Sequence, residues 1–268
     1  MMGEPSWVRR LVAGLGVAVL VFLCLPIVIV VPMSFSSASS LEFPPPGLSL
    51  RWYEAFFGDP RWLEAAGTSL ALAALASSLA LLLGTIAAYG LVRGRFRGRP
   101  LVELNFMAPL ILPQIITGVA LYIFFARIGL LGSFAGLVIG HTVLAVPYTV
   151  LVMTVAIRAF DRDIERAALS LGAAWPVMAW RVLVPNLMPS AAAAWIFAFI
   201  ISFDEVIVTI FLAGAHETIP KRMFNELVLQ VNPTITAIAT LLIGISVVTV
   251  LAVTTLARRA GLLTKIAD

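Results

Sequence analysis

The sequence predicts an all-α integral membrane protein, with six transmembrane helices and a helix–turn–helix in one cytoplasmic connection. Three observations predict it. The 268-residue chain is 61% hydrophobic and only 12% charged, with a mean hydropathy of +1.03, whereas soluble domains are about a quarter charged. Its apolar residues gather into six runs, each near the roughly 20 residues that cross about 30 Å of hydrocarbon. Its Lys and Arg residues concentrate on alternate connections between those runs, as expected for cytoplasmic loops.

The runs are Leu11–Met33, Gly67–Val92, Leu101–Ala126, Phe134–Ile157, Ser190–Ala213 and Thr234–Ala257. With the N-terminus in the cytoplasm, the inner segments carry Arg9 and Arg10; Arg93, Arg95, Arg97 and Arg99; Arg158, Arg162, Arg166 and Arg181; and Arg258, Arg259 and Lys265. The outer segments carry only Arg51, Arg61, Arg127, Lys221 and Arg222. The formal net charge of +4 therefore reads as membrane orientation, and no nucleic-acid partner is expected. Both termini fall in the cytoplasm, with a bacterial plasma membrane as the expected location.

The first run follows Arg9 and Arg10 like a signal peptide. Its 23 apolar residues exceed the usual 7–15 of a cleavable segment, so it is read as a retained span. Cys24 lies inside this run. A lone cysteine has no internal disulfide partner and behaves as a small hydrophobe. The loop Ser34–Ala66 holds Phe43-Pro44-Pro45-Pro46-Gly47, expected to be stiff and extended. It then runs into Trp52–Phe57, expected to form an interfacial amphipathic segment. Pro109 and Pro113 break the third run. A second interfacial helix is expected over Met223–Val228.

Between the fourth and fifth runs lies a polar island, Asp161 to Gly172, continuing through Trp175-Pro176 to Val182-Leu183-Val184-Pro185. Ile164, Ala167, Ala168 and Leu171 share one face of a short helix, with Arg162, Glu165 and Arg166 on the other. Asp161 or Asp163 suits the N-cap and Gly172 the left-handed end. Pro176 suits the first turn of a second helix. Pro185 and Pro189 mark the return to the membrane. An apolar stripe on a cytoplasmic helix has to be covered by something.

The island resembles the docking loop of ABC importer permeases. Their motif is Glu-Ala-Ala, three residues, Gly, nine residues, Ile-x-Leu-Pro. Here Ala167, Ala168 and Gly172 match, and Val182-Leu183-Val184-Pro185 follows after nine residues. Arg166 stands where the family often has Glu, with Glu165 one residue earlier. The resemblance covers nearly the whole chain. His141-Thr142 and Ser202–Thr209 are most similar to the second membrane subunit of spermidine/putrescine-type transporters. Importers of opines, phosphonates or thiamine have similar stretches.

That resemblance implies a type I ABC importer permease fold: one permease domain over 1–268, with the ATPase-docking loop at 158–189. It implies close packing against an ATPase subunit by Ala167, Ala168, Leu171, Gly172 and Pro185, with Arg162, Glu165 and Arg166 at a polar rim. Implied partners are a second permease subunit, two ATPase subunits and an extracytoplasmic solute-binding protein. The implied function is ATP-driven import of a small cationic solute such as a polyamine.

Asp204 and Glu205 are adjacent acids within a span, about 21 Å from its inner end at 1.5 Å per residue. Ionised carboxylates in lipid cost about 2.5–3.5 kcal/mol and so face a cavity or a partner. On a continuous helix Ser202, Glu205 and Thr209 share one face. Two readings stand: a pathway for a cation, or a structural role, either as an ion pair with Arg127 or Arg222 or as a contact with a second subunit. Trp195, Phe199 and Phe203 form a stripe that either packs or offers cation–π contacts. His141 and Tyr148 share a face of the fourth span, either lining the pathway or holding a neighbouring helix. Asn105, Gln114 and Thr117 read as helix–helix contacts or cavity lining.

No phosphate-binding loop, no His/Cys cluster and no nucleophile–base arrangement is present in the sequence. A transport subunit rather than an enzyme is expected, with no cofactor and no metal. The alternative is a self-contained secondary transporter or channel, which needs coupling-ion residues in broken helices.

Overall fold

A computed structural model describes residues 6–229 and 232–259; Lys265 of the expected C-terminal basic cluster lies outside them. The described residues are helical apart from connections and a single β-bridge between Ser36 and Leu48. In chain order the helices are α1 (Ser6–Ser34), α2 (Arg51–Gly58), α3 (Pro60–Arg93), α4 (Arg99–Ile111), α5 (Gln114–Ile128), α6 (Phe134–Ala159), α7 (Arg162–Ser170) and α8 (Trp175–Met178). A π-helical turn over Ala179–Leu183 leads into α9 (Val184–Phe203). There follow α10 (Ile207–Leu212), α11 (Ile219–Leu229) and α12 (Thr234–Arg259).

Among the described residues, four helical stretches are long and apolar enough to cross a membrane: Trp7–Ser34, Pro60–Arg93, Phe134–Ala159 and Trp175–Phe203. The third apolar run is two helices, α4 and α5, bent by 106° at Leu112-Pro113. Pro113 has no N–H to continue α4, and the residue before a proline is driven into extended backbone; Leu112 lies at φ −78°, ψ 139°.

Contacts divide the chain into two compact units, 1–63 with 225–268, and 64–224. In the first, α1 presents large apolar side chains on all sides, Phe22 and Leu20 among them, as a lipid-facing span does. The proline-rich loop does not run out straight. It doubles back, with Ser37 N–H donating to Gly47 O at 2.9 Å and Ser49 N–H to Phe35 O at 2.7 Å. The Tyr53 hydroxyl, on α2, shares a 2.7 Å hydrogen bond with Ser34 Oγ at the end of α1.

In the second unit α6 is the buried centre, with Leu144, Ala145, Val150, Met153 and Ile157 enclosed. Small residues explain how closely α3 approaches it. Ala76, Ala80, Gly84 and Ala88 recur every fourth position on one face of α3, the pattern that lets backbones touch. Thr149 of α6 donates its hydroxyl hydrogen towards Ala80 O and Val146 O, both at 2.8 Å. A Cβ added at Gly84 would lie 1.9 Å from Thr149 Oγ1. α9 packs against both helices, with Ala198 enclosed by Ala80 of α3 and Ala145 of α6, and Ala194 fully buried.

Candidate functional sites

The island is helix–turn–helix in its first half. Asp161 caps α7, its carboxylate accepting from Asp163 N–H at 2.8 Å. Gly172 has φ +89°. Its N–H donates to Leu169 O at 3.0 Å, and Ala173 N–H donates to Ala168 O at 3.2 Å. Those two bonds define a Schellman end, which wants glycine at that position. A Cβ on Gly172 would meet nothing within 4 Å, so within this chain only the backbone conformation restricts a substitution there.

One expectation about the island needs correction. Glu165 does not stand at an exposed rim with Arg162 and Arg166. It is buried, its Oε1 2.6 Å from Arg93 Nη2 and 2.8 Å from Arg93 Nε. The Tyr89 hydroxyl donates to Oε2 at 3.1 Å, and Arg93 also donates to Phe160 O at 2.8 Å. The turn of α7 follows from this anchor. Ala168, one turn on from Glu165, faces the core, while Ile164, Ala167 and Leu171 face out, Leu171 being 89% exposed. Arg162 and Arg166 are exposed, and Arg166 pairs with Asp163 at 2.9 Å.

Pro185, expected at the return to the membrane, lies inside a helix. The chain is continuously helical from Trp175 to Phe203. Pro185 carries no N–H and its ring crowds the preceding turn. The π-helical turn just before it widens the helix, with Val184 N–H donating five residues back to Ala179 O. Asn186 Nδ2 donates to Val182 O at 2.7 Å, satisfying a carbonyl near the proline.

The fifth apolar run is also not one helix. α9 ends at Phe203 and α10 begins at Ile207, leaving Asp204-Glu205-Val206 as a break. Ser202, Glu205 and Thr209 therefore do not share a helical stripe. Ser202 and Thr209 meet around His141. Its Nδ1 lies 2.9 Å from Ser202 Oγ, and its Nε2 lies 3.0 Å from Thr209 Oγ1. Thr209 Oγ1 donates to Glu205 O at 2.8 Å, so its single hydrogen is used. The arrangement that uses each donor once has Nε2–H donating to Thr209 and the Ser202 hydroxyl donating to Nδ1. Glu205 is buried, and its Oε1 accepts from Val208 N–H at 2.8 Å, capping α10. His141 thus pins both sides of the break, and Glu205 is consumed in making it.

Asp204 is left exposed at the end of α9. Among the described residues neither Asp204 nor Glu205 pairs with Arg127 or Arg222; Arg222 is buried and pairs with Glu217 at 3.2 Å. Asp204 lines a cavity of about 280 Å³ with Gln114, Ile201, Glu205 and Val206. Gln114 is the first residue of α5, directly after the 106° bend. Two broken helices thus deliver a carboxylate and an amide to one cavity. Discontinuous helices at such depth are tolerated where they line a cavity.

The aromatic residues on α9 form a ladder that leads to Asp204. Trp195 and Phe199 stack at 5.3 Å and 28°, and Phe199 and Phe203 at 5.8 Å and 16°. Trp195 Nε1 donates to Ser78 Oγ at 3.0 Å, fixing the foot of the ladder on α3. Tyr148 meets Phe197 edge to face at 5.2 Å, on another side of α9.

Arg93, Tyr89 and Ser78 carry parts of these sites that sequence reasoning missed. Arg93 stood in the basic connection after the second run, where one arginine among four reads as orientation. No local signal marked it, because Arg162 and Arg166 beside Glu165 offered the acid nearer partners in the sequence.

The model of the binding-protein-dependent transport system inner membrane component family matches residues 80–261. The chain is 31% identical to the spermidine/putrescine transport system permease protein PotC of Escherichia coli K12, over 93% of this chain and 95% of that one. It is 37% identical to the putrescine transport system permease protein PotI of the same strain, over 83% and 82%. A solved bacterial ABC transporter involved in the import of the acidic polysaccharide alginate superposes with a TM-score of 0.70 at 16% identity, covering 97% of this chain and 99% of that one. The chain belongs to the binding-protein-dependent transport inner membrane family, and is a multi-pass permease subunit of an ABC importer. A secondary transporter or channel is thereby set aside.

Proposed function

We propose that this permease carries a small organic cation of the polyamine class, and that Asp204 touches it during passage. The relatives named for spermidine and putrescine transport support the substrate class. The observation that carries the residue assignment is the convergence of the α4–α5 bend and the α9–α10 break on one cavity, where Asp204 is exposed and unpaired among the described residues. A protonated amine passing Asp204 gains a charge-assisted hydrogen bond. The face of Phe203 beside it adds a cation–π contact of about 0.5–2 kcal/mol.

In this reading α4 with α5 counts as one span and α12 as another, giving six, with the termini and loop 158–189 in the cytoplasm. The whole of 1–268 acts as one permease domain beside a second permease. One of two ATPase subunits binds the outward-facing Ile164, Ala167 and Leu171, with Arg162 and Arg166 at the edge. A solute-binding protein delivers substrate from outside, and the chain itself needs no cofactor. ATP binding moves the docking loops, and a few kcal/mol of differential contact shifts the pathway between its two openings.

The test is uptake of labelled putrescine by the reconstituted importer carrying Asp204→Asn. Losing a charge-assisted hydrogen bond of about 1.5–3 kcal/mol lowers kcat/KM by roughly 10- to 100-fold. Wild-type kinetics in Asp204→Asn would remove Asp204 from the pathway. Glu205 is left intact in this test, because changing it uncaps α10.

A further inference from the structure

A second cavity, of about 400 Å³, lies where α3 ends and α7 begins. Arg93, Arg162 and Arg166 line it, with Gly90 on α3 and Gly94 just past the end of α3 at its floor. The buried Glu165 also lines it, but this carboxylate is neutralised by Arg93 and Tyr89. Arg93 spends Nε and Nη2 on Glu165 and Phe160, and Nη1 takes part in none of those bonds. Arg162 makes no hydrogen bond or ion pair among the described residues, and Arg166 has only an exposed partner, Asp163. Three guanidinium groups therefore meet at a cavity with one already-satisfied carboxylate.

The surroundings fit one end of a lipid. Arg93 is the last residue of a membrane-length helix, so the cavity sits where that span leaves the hydrocarbon. Leu79, Leu83 and Ile86 are exposed on α3, and at helical spacing they lie in line with Gly90. The stripe is apolar up to Ile86, then opens at two glycines beneath the arginines. Leu169 and Trp175 close the apolar side of the cavity. A free anion would use the arginines but not the stripe.

We infer that this cavity binds the phosphate headgroup of an anionic phospholipid, with an acyl chain lying along Leu79, Leu83 and Ile86. The inference goes beyond the transport reading and rests on it only for the membrane frame. A lipid held between α3 and α7 would bear on the same junction that Glu165 and Arg93 tie together, so lipid composition would tune how firmly the docking helix is held.

The experiment measures lipid binding to the purified full chain in detergent by native mass spectrometry, titrating phosphatidylglycerol against phosphatidylcholine. The wild type is expected to prefer phosphatidylglycerol. Each juxtamembrane arginine contributes about fivefold to anionic-lipid attraction, so Arg162→Gln with Arg166→Gln lowers phosphatidylglycerol affinity by about 25-fold. Phosphatidylcholine affinity stays the same. Gly90→Leu, where an added Cβ meets nothing within 4 Å, fills the floor without removing charge and should abolish the preference too. Equal affinity for both lipids in the wild type would overturn the inference, as would an unchanged preference in both variants. Inorganic phosphate displacing phosphatidylglycerol at millimolar concentration would mark a free-anion site and overturn the lipid assignment. Since no transport is measured, failure here leaves the polyamine reading untouched, and failure of Asp204→Asn leaves this one untouched.

Discussion

Glu165→Gln is nearly isosteric, yet it removes the charge that holds α7 against the end of α3. The Arg93 side chain is 12% exposed and that of Glu165 6%, so the wild-type pair is screened little by solvent. Breaking a buried pair from one side costs about 3–5 kcal/mol, because the other charge stays behind without its partner. Arg93 keeps its bond to Phe160 O and borders the adjoining cavity. The lower end, about 3 kcal/mol, is therefore expected, or roughly a hundredfold in the ratio of docked to undocked α7. Hydrogen exchange of peptides covering 162–173, in the importer embedded in nanodiscs, reads that ratio directly. Exchange should quicken by about a hundredfold in Glu165→Gln and to a similar extent in Arg93→Gln. The double variant should lose much less than the sum, since neither charge is then left unpaired. Unchanged α7 exchange in both single variants, or additive effects in the double, would refute the anchor.

Three further outcomes follow from the same geometry. His141→Ala leaves the Ser202 hydroxyl without its acceptor, at about 1–3 kcal/mol for that buried group, while Thr209 keeps its bond to Glu205 O; the variant should show a lower unfolding temperature, and normal stability would mean the break holds without His141. At Gly172 the φ of +89° admits Asn more readily than Ala or Val, by about 1–2 kcal/mol. Putrescine uptake should accordingly fall in the order Gly, Asn, Ala, Val, and equal uptake in all four would detach the Schellman end from function. Gly84→Ala should be destabilised by about 1–3 kcal/mol through overpacking against Thr149 Oγ1, and Thr149→Ala in the same chain should restore part of that loss in a thermal melt.

The spans were legible because lipid imposes a simple rule, some twenty apolar residues bounded by charge, and α1, α3 and α6 follow it. The capping of α7 by Asp161 and its ending at Gly172 were equally local and equally legible. Pro113 announced the bend after Ile111, though not its angle, which depends on packing rather than on proline. The break at Asp204 was hidden because Ser202, Glu205 and Thr209 fit a helical face as well as they fit a knot. Only the distant His141 decides between those, by satisfying both hydroxyls at once. The π-helical turn before Pro185 was not legible, because a proline in a sequence does not show how the preceding turn makes room for its ring. Glu165 misled because the helical wheel assigns polar residues outward, and Arg93, which draws it inward, lies 72 residues away.

The most direct test of the translocation account places a reporter at Asp204 itself. In a chain whose free Cys24 is replaced by Ala, Asp204→Cys is exposed to a small cationic thiol reagent in the reconstituted importer. The account predicts modification that putrescine slows, and that changes rate when ATP drives the pathway between its two openings. A cysteine modified at the same rate with and without putrescine, in every nucleotide state, would contradict it.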